Sequence, residues 1–290
     1  MDAAAVDPRA DRENAAFWEM ICGSNWETRL GITDSSPASL RKFDDYYRTF
    51  YPYLEDWLDP TSLAGRDVLE VGLGYGTVGQ MIAAAGANYS GLDVARAPVE
   101  LMNRRLQTGG YSGRAVQGSV LDAPFPAESF DVVVSIGCLH HTGDVHRAVG
   151  EATRMLRPGG RLVMMVYHAY SYQTLARRRA KLVGDWLRDR RGAPYSTGDE
   201  ALRAVYDANA AGEAAPHTVF LSHRQLTRTA ERHDLTVSRI GRENFSQRLQ
   251  LGVIPRNWLL ATFGKWIGSD LYAVLEKPSR AKGADRSRAA

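Results

Sequence analysis

The chain has 290 residues, of which 44% are hydrophobic and 24% charged, with a formal net charge of +3. This composition is typical of a globular protein with one sizeable core, and the charge is too small to indicate a nucleic-acid partner. Because no apolar run approaches the ~20 residues that span a bilayer, and residues 1–14 lack the apolar stretch of a secretory signal, we expect no integral membrane contact and a cytoplasmic location.

The N-terminal part divides into an expected disordered tail, residues 1–14, and an aromatic-rich helical cap, residues 15–61. Ser36 followed by Pro37 is a typical helix start, and apolar residues then recur at helical spacing from Leu40 to Tyr51. Pro52 should bend or restart this helix. We therefore expect a small helical cap ahead of the main fold.

The most informative motif follows a short buried strand, residues 67–71. It reads Glu70-x-Gly72-x-Gly74-x-Gly76, and Asp93 ends the next apolar run 17 residues further on. Alternate glycines let the chain turn sharply and let a ligand lie against bare backbone. An acidic residue at the tip of the second strand is placed to accept hydrogen bonds from the two hydroxyls of a ribose. The motif predicts a nucleoside site.

The spacing and the charge of this loop favour one class of nucleoside. A dinucleotide fingerprint is G-x-G-x-x-G, whereas here a third glycine occupies the space that a pyrophosphate normally needs. Glu70 would repel a phosphate and attract an ammonium group. These features favour S-adenosylmethionine, which has a ribose and a cationic amino-acid tail but no phosphate.

Further strands and helices alternate after this loop, which predicts a parallel sheet. Residues 114–118 and the continuously apolar residues 130–136 read as the third and fourth strands. A helix over about 144–156, the turn 157–160 and a fifth strand over 161–167 complete this half. Five βα repeats are therefore readable from the residues alone.

At this point the chain resembles the class I S-adenosylmethionine-dependent methyltransferases, in particular the small-molecule branch that includes quinone C-methyltransferases and natural-product tailoring enzymes. The resemblance covers residues 67–167. It rests on the following motifs: the Glu70–Gly76 loop, Asp93, Leu121-Asp122-Ala123-Pro124-Phe125, Phe130-Asp131, Leu139-His140-His141 and Leu156-Arg157-Pro158-Gly159-Gly160.

The resemblance implies a doubly wound, seven-stranded, mostly parallel α/β sheet of the Rossmann-like methyltransferase type, with the last strand, 271–276, antiparallel. It implies a cofactor-binding core over 62–168, an acceptor lid over 169–221 and the rest of the sheet over 222–278. The basic composition of residues 279–290 predicts a disordered tail. The implied cofactor residues are Glu70, Gly72, Leu73, Gly74, Gly76, Asp93, Val94, Ser119, Val120, Ile136 and Gly137. Ser119 stands where relatives carry an acidic residue, so Asp122 is an alternative partner for adenine.

His140 and His141 are the catalytic candidates, because they follow the fourth strand on the edge where the methyl group should lie. An imidazole titrates near neutrality and can act as a base, although a structural hydrogen-bonding role is the alternative. The candidate acceptor residues are Trp26, Tyr46, Tyr47, Tyr167, His168 and Tyr170, for which core packing is the alternative. Cys22 and Cys138 lack ligand spacing, so no metal or disulfide is expected.

We therefore expect an enzyme that methylates carbon, nitrogen or oxygen of a small, aromatic or apolar secondary metabolite, with a homo-oligomer possible. A basic helix over 171–190 leaves a quinone-like, lipid-like or anionic acceptor open, although a solvated helix face explains it equally well. A non-catalytic S-adenosylmethionine-binding protein is the alternative from another class.

Overall fold

The computed structural model describes residues 8–21, 24–195, 197–209, 211–245 and 255–280. Within these residues the chain forms a twisted seven-stranded sheet with helices on both faces. The strands are β1 (Asp67–Val71), β2 (Asn88–Asp93), β3 (Gly113–Gln117), β4 (Phe130–Ile136), β5 (Leu156–Tyr167), β6 (Thr236–Glu243) and β7 (Asp270–Glu276).

The strand order is β3-β2-β1-β4-β5-β7-β6, and β7 runs antiparallel to both of its neighbours, β5 and β6. Buried apolar strands such as β1 and β4 suit a sheet that is covered on both faces, because both sides of each strand then need apolar residues. The order reverses between β1 and β4, where ligands bind in open α/β sheets. The expected doubly wound α/β fold with an antiparallel last strand is confirmed.

Four helices precede the sheet: α1 (Pro8–Ile21), α2 (Ser24–Leu30), α3 (Pro37–Phe50) and α4 (Leu54–Leu58). The Ser36 hydroxyl accepts a hydrogen bond from Ser39 N, with Pro37 in the first turn, so the predicted start of α3 is observed. The predicted break at Pro52 separates α3 from α4.

The expected disorder of residues 1–14 is wrong for the part that the structure describes, because α1 begins at Pro8. Asn14 and Phe17 are buried, and the Asn14 side-chain amide donates a hydrogen bond to the backbone oxygen of His141 at 2.8 Å. Tertiary contacts therefore order a segment whose composition suggested a loose tail. Residues 1–7 lie outside the described part of the chain.

Three helices connect the parallel strands: α5 (Thr77–Ala84), α6 (Arg96–Gly109) and α7 (Val145–Met155). The Asp144 carboxylate caps α7 by accepting from Arg147 N at 2.9 Å. The predicted turn at 157–160 is the irregular start of β5, because Gly159 and Gly160 exchange backbone hydrogen bonds with Lys277.

The expected lid contains α8 (Tyr172–Arg190), kinked at Arg178, and α9 (Glu200–Tyr206). The chain then returns to the sheet through α10 (His223–Arg232). A capping box between Ser222 and Gln225 marks the start of this helix. The connection to β7 carries α11 (Arg256–Ala261) and α12 (Gly264–Ile267). Of the expected basic tail, Ser279 and Arg280 are described, and Arg280 pairs with Glu128; residues 281–290 lie outside the described part.

No helix among the described residues is long and apolar enough to cross a membrane.

Candidate functional site

Two cavities lie where the carboxyl ends of β1 and β4 meet the N-terminal helices. The first, here called the strand-end cavity, has a volume of about 220 Å³. The second, the aromatic chamber, has a volume of about 250 Å³. Both cavities are lined by Trp18, Gly72, Gly74, Ile136 and Asp207. Because they share these lining residues, the two cavities adjoin at the topological switch point of the sheet.

The glycine loop forms the floor between the cavities. At Gly72 the φ angle is +83°, and a Cβ there would lie 2.3 Å from Cys138 Cβ, so a side chain is excluded. At Gly74 the φ angle is +49° and a Cβ would meet no described atom within 4 Å, because this residue faces open space. Gly76 begins α5 and packs against Arg105 and Met102, so it shapes the loop without lining either cavity.

Asp93 lies at the bottom of the strand-end cavity, 9% exposed. Its carboxylate accepts from Leu73 N at 2.8 Å and from Ala95 N at 2.9 Å. Burial raises the pKa of this carboxyl to about 6, which the two backbone donors partly offset. Since each carboxylate oxygen has two lone pairs, the group can brace the glycine loop and still accept from two ligand hydroxyls.

Glu70 borders the aromatic chamber and is 2% exposed. Tyr89 donates a hydrogen bond to its Oε2 at 2.5 Å. Burial raises the pKa of Glu70 to about 8. A cationic group beside this carboxyl would favour its ionised form and relieve the cost of burying it.

The remaining predicted cofactor residues fall around the same two cavities. Leu73 lines the aromatic chamber. Val94, Ser119, Val120, Ile136 and Gly137 line the strand-end cavity. The Ser119 hydroxyl accepts from Leu121 N at 3.1 Å. The alternative residue, Asp122, is exposed and lines neither cavity.

The two candidate histidines occupy different environments. His140 is fully buried, its ring lies 4.0 Å from that of His141 and 4.3 Å from that of Tyr167, and it reaches neither cavity. Neither ring nitrogen of His140 has a hydrogen-bond partner among the described residues. His141 lines the strand-end cavity, and its Nδ1 is 3.0 Å from the Thr218 hydroxyl. The structure therefore brings only His141 to the ligand space.

Burial lowers the pKa of both histidines, to about 3 for His141. An imidazole held neutral at physiological pH can accept a proton only weakly. His141 therefore suits hydrogen bonding and orientation better than proton abstraction.

An acidic residue from the expected lid, Asp207, completes the junction between the cavities. Tyr167, which lines the strand-end cavity, donates to Asp207 Oδ2 at 2.6 Å. The Nε2 atom of His141 is 3.6 Å from the same oxygen. Burial raises the pKa of Asp207 to about 6. A carboxylate, a phenol and an imidazole thus converge at one point of the ligand space.

The aromatic chamber lies between the glycine loop and the helices α2 and α3. Trp26, Phe43, Tyr47, Tyr51 and Tyr75 line it, and the rings of Phe43 and Tyr75 stack 3.9 Å apart. Tyr46, predicted to contact the acceptor, instead packs edge-to-face on Trp26 and lines neither cavity. Helical spacing explains the difference, since neighbouring residues of one helix point in different directions.

Two further predicted acceptor residues lie elsewhere. His168 is buried with its Nδ1 3.1 Å from the Gly268 oxygen, and it lines neither cavity. Tyr170 borders a separate cavity beneath α8, where its hydroxyl donates to Asp189 at 3.4 Å. The chain turns away from the sheet edge after Tyr167, so only that residue of the segment lines the ligand space.

Among the lining residues that were not predicted are Asn14, Trp18 and Asp207. Asn14 lies at the end of the stretch expected to be disordered, and Trp18 lies in the expected helical cap. Asp207 directly follows α9 in a segment without a family motif. The aromatic character of the first helix was a usable signal, whereas nothing in the local sequence distinguishes Asp207 from other acidic residues.

Comparison with known proteins supports the family assignment. A model of the methyltransferase-domain family matches residues 69–164, about a third of the chain. A demethylmenaquinone methyltransferase of Tropheryma whipplei is 34% identical over 102 residues, covering 35% of this chain and 41% of the relative. A phthiotriol/phenolphthiotriol dimycocerosates methyltransferase of Mycobacterium leprae is 35% identical over 127 residues, 43% of each chain. The chain thus spans less than half the length of these curated relatives.

A solved structure of similar fold is an S-adenosylmethionine-dependent methyltransferase from Methanosarcina mazei, with a TM-score of 0.55 and 14% identity. The similarity covers 79% of this chain and 99% of that one. It confirms the expected fold, while the matched domain supports the expected methyltransferase family. Residues 69–164 therefore match the methyltransferase-domain family.

Proposed function

We propose that the protein is a methyltransferase that uses S-adenosylmethionine to methylate a small acceptor bearing an aromatic or apolar part. One observation carries the proposal: the strand-end cavity and the aromatic chamber share a junction at Trp18, Gly72 and Asp207. A cofactor that extends from the strand-end cavity toward Glu70 would therefore present its reactive group at this junction, beside an acceptor in the aromatic chamber.

The residues of the site fit S-adenosylmethionine. Asp93 suits the ribose hydroxyls, and Gly74 leaves open space for a ligand against its backbone. Glu70 suits the ammonium group of the methionine part. Among the described residues that line the two cavities there is no lysine or arginine, so a pyrophosphate would find no cationic side chain.

The mechanism needs few chemical groups from the protein. S-adenosylmethionine supplies a methyl group on a positively charged sulfur, which is already activated toward displacement. The protein has to hold the acceptor close, orient it and exclude water. Trp18 and Tyr51 supply apolar walls, while Tyr167, His141 and Asp207 supply hydrogen-bonding groups at the junction.

Product formation distinguishes a methyltransferase from a non-catalytic protein that only binds S-adenosylmethionine. Incubation of the protein with methyl-labelled S-adenosylmethionine and a metabolite extract should give a labelled product and S-adenosylhomocysteine. A pure binding protein would retain the cofactor and release neither.

The cofactor site is tested by Asp93→Asn. This change keeps the shape and removes the charge, so the hydrogen bonds from ribose hydroxyls should weaken by ~1.5–3 kcal/mol. Titration calorimetry with S-adenosylhomocysteine should therefore show an affinity lowered ~10- to 100-fold. Asp122→Asn, at an exposed carboxylate outside the cavities, is the matched control. Equal affinities of both variants and the wild type would remove Asp93 from the site.

A further inference from the structure

The walls of the ligand space carry only one sign of charge. Their acidic residues are Asp11, Glu70, Asp93 and Asp207, and the described lining residues include no lysine or arginine. The chain as a whole has 36 lysines and arginines against 33 acidic residues, so this bias is local. His141 adds no charge, because burial lowers its pKa to about 3.

Two buried arginines lie near the chamber, but both are directed elsewhere. Arg105 donates to the Asp44 carboxylate at 2.9 Å and to Gln80 at 2.6 Å. Arg256 donates to the backbone oxygens of Phe245 at 2.9 Å and Phe50 at 2.7 Å. Neither lines a cavity. An anionic acceptor would therefore lie among carboxylates without a cationic partner.

One carboxylate remains after the cofactor is accounted for. Asp93 and Glu70 suit the two polar ends of S-adenosylmethionine, whereas Asp207 lies at the junction where both cavities meet. Its Oδ2 accepts the hydroxyl of Tyr167 at 2.6 Å. Its Oδ1 accepts no hydrogen bond from the described residues. Because Asp207 lines both cavities, this second oxygen is available to a donor or a cation of a ligand.

The chamber that Asp207 lines is rich in aromatic rings. Trp18, Trp26, Tyr47, Tyr51 and Tyr206 line the chamber together with Asp207. The faces of such rings attract cations, and the attraction grows when the site is shielded from water. Burial raises the pKa of Tyr47 and Tyr51, so both phenols stay neutral. Rings plus one carboxylate are the chemistry that recognises an ammonium group.

We propose that the methyl acceptor is an amine, and that Asp207 holds its ammonium form and takes the proton that the nitrogen must lose. This inference rests on the proposed function. With the proton on Asp207, the nitrogen lone pair forms the new N–C bond as the C–S bond of the cofactor breaks and its electron pair stays on sulfur. The product leaves as a methylated ammonium, and Asp207 releases its proton to solvent. Charge and atoms balance, and no further reactant is needed.

Three probes that share a phenyl ring test the charge preference: phenyltrimethylammonium, 2-phenylethanol and phenylacetate. Binding to protein saturated with S-adenosylhomocysteine is followed by tryptophan fluorescence, since Trp18 and Trp26 line the chamber. We expect the cation to bind at least 10-fold more tightly than the alcohol and the anion to bind most weakly. Phenyltrimethylammonium cannot be methylated, so this readout is independent of activity.

Asp207→Asn assigns the preference to one residue. The amide can still accept from Tyr167, so affinity for the cation should fall at least 10-fold while affinities for the alcohol and for S-adenosylhomocysteine stay within 2-fold. Asp122→Asn is the control and should change none of them. Circular dichroism establishes that each variant folds, and Asp207→Ser is the second variant if the amide disturbs the junction.

Two results overturn the inference. One is a wild-type protein that binds phenylacetate or the alcohol as well as the cation, or binds no probe. The other is a cation preference that survives both Asp207 variants. In either case, a protein that still binds S-adenosylhomocysteine does not contradict the proposed function. The acidic residues of the cavities would then bind the cofactor only. Failure to bind S-adenosylhomocysteine contradicts the proposed function itself.

Discussion

The sheet from β1 to β5 and the segments around it differ in how they build the site. The sheet supplies the glycine loop, Asp93 and Glu70 through strands whose ends are fixed by backbone pairing on both sides. The surrounding helices supply Trp18 from α1, Tyr51 after α3 and Asp207 after α9. The first region holds the part of the ligand space that suits the cofactor, and the second holds the part that suits the acceptor.

This difference shows where specificity can change without loss of the fold. A residue at the end of a central strand is held by neighbours on both sides, so its replacement disturbs the sheet. A residue on a helix that packs over the sheet edge is held mainly by side-chain contacts. We therefore expect mutations in the sheet to affect folding and cofactor binding together, and mutations in the helical segments to affect ligands more than folding.

The largest effect is expected for Gly72→Ala. The new methyl group would lie 2.3 Å from Cys138 Cβ at a φ angle of +83°, so overpacking adds to backbone strain. The free energy of unfolding should fall by ~3 kcal/mol or more. Urea unfolding measures this loss, and S-adenosylhomocysteine binding should weaken with it.

Gly212→Ala is the matched control, because Gly212 has the same φ angle of +83° and no described atom within 4 Å of a new Cβ. It lies in the expected lid and should cost ~1 kcal/mol from backbone strain alone. A Gly72→Ala loss no larger than that of Gly212→Ala would show that the approach of Cys138 does not constrain the loop.

The pH dependence of stability separates Asp207 from the acids of the sheet. Its pKa is raised to about 6, against ~3.9 in an unfolded chain, because burial disfavours the charged form. Below pH ~4 both states hold the proton and there is no penalty. As the pH rises from 4 to 6 the unfolded state ionises first, so the free energy of unfolding falls by at most ~3 kcal/mol and stays lower above pH 6.

Asp207→Asn should remove this part of the pH dependence. Urea unfolding at pH 4, 5, 6 and 7 should give a flatter profile for the variant than for the wild type. Burial also raises the pKa of Asp93 to about 6 and of Asp270 to about 7, so some decline should remain in both proteins. Parallel profiles would mean that Asp207 is better hydrated than its surroundings indicate.

A smaller effect is expected for Trp18→Ala. The Trp18 ring lines both cavities and meets the His141 ring edge-to-face at 4.8 Å, a contact worth ~0.5–1.5 kcal/mol. Affinity for S-adenosylhomocysteine should fall ~3- to 10-fold in calorimetry. Met20→Ala, a 60% exposed position on the same helix, should leave it unchanged. Equal losses for both variants would assign the effect to α1 as a whole.

Most of the sheet could be predicted because its signals are local. The buried strand before Gly72, the glycine spacing and Asp93 each depend on a few neighbouring residues, and the strand bounds agree to within one residue for β1 to β4. The irregular start of β5 was not predicted, because its backbone hydrogen-bond partner is Lys277, more than 100 residues further along the chain. Pairing over such distances leaves no local trace.

The acceptor side was less predictable for the same reason. Tyr46 and Tyr47 are neighbours on α3, yet only Tyr47 lines the chamber, because adjacent residues of a helix point in different directions. His140 and His141 are adjacent residues of the same type, so the sequence does not distinguish them. Only the ring of His141 reaches the strand-end cavity. Asp207 contacts Tyr167 and His141, which lie 40 and 66 residues earlier in the chain, so only the folded chain brings them together.

The attachment of α1 has a consequence for the time that a ligand stays bound. Asp11, Asn14 and Trp18 form one wall of the strand-end cavity, and the helix is held to the rest of the protein by contacts such as Asn14 to His141 and Glu19 to the first amides of α6. Such an element can open at a fraction of the free energy of global unfolding. Weakening those contacts should therefore speed both arrival and departure of the cofactor, so that turnover limited by product release would rise even as equilibrium affinity changes little.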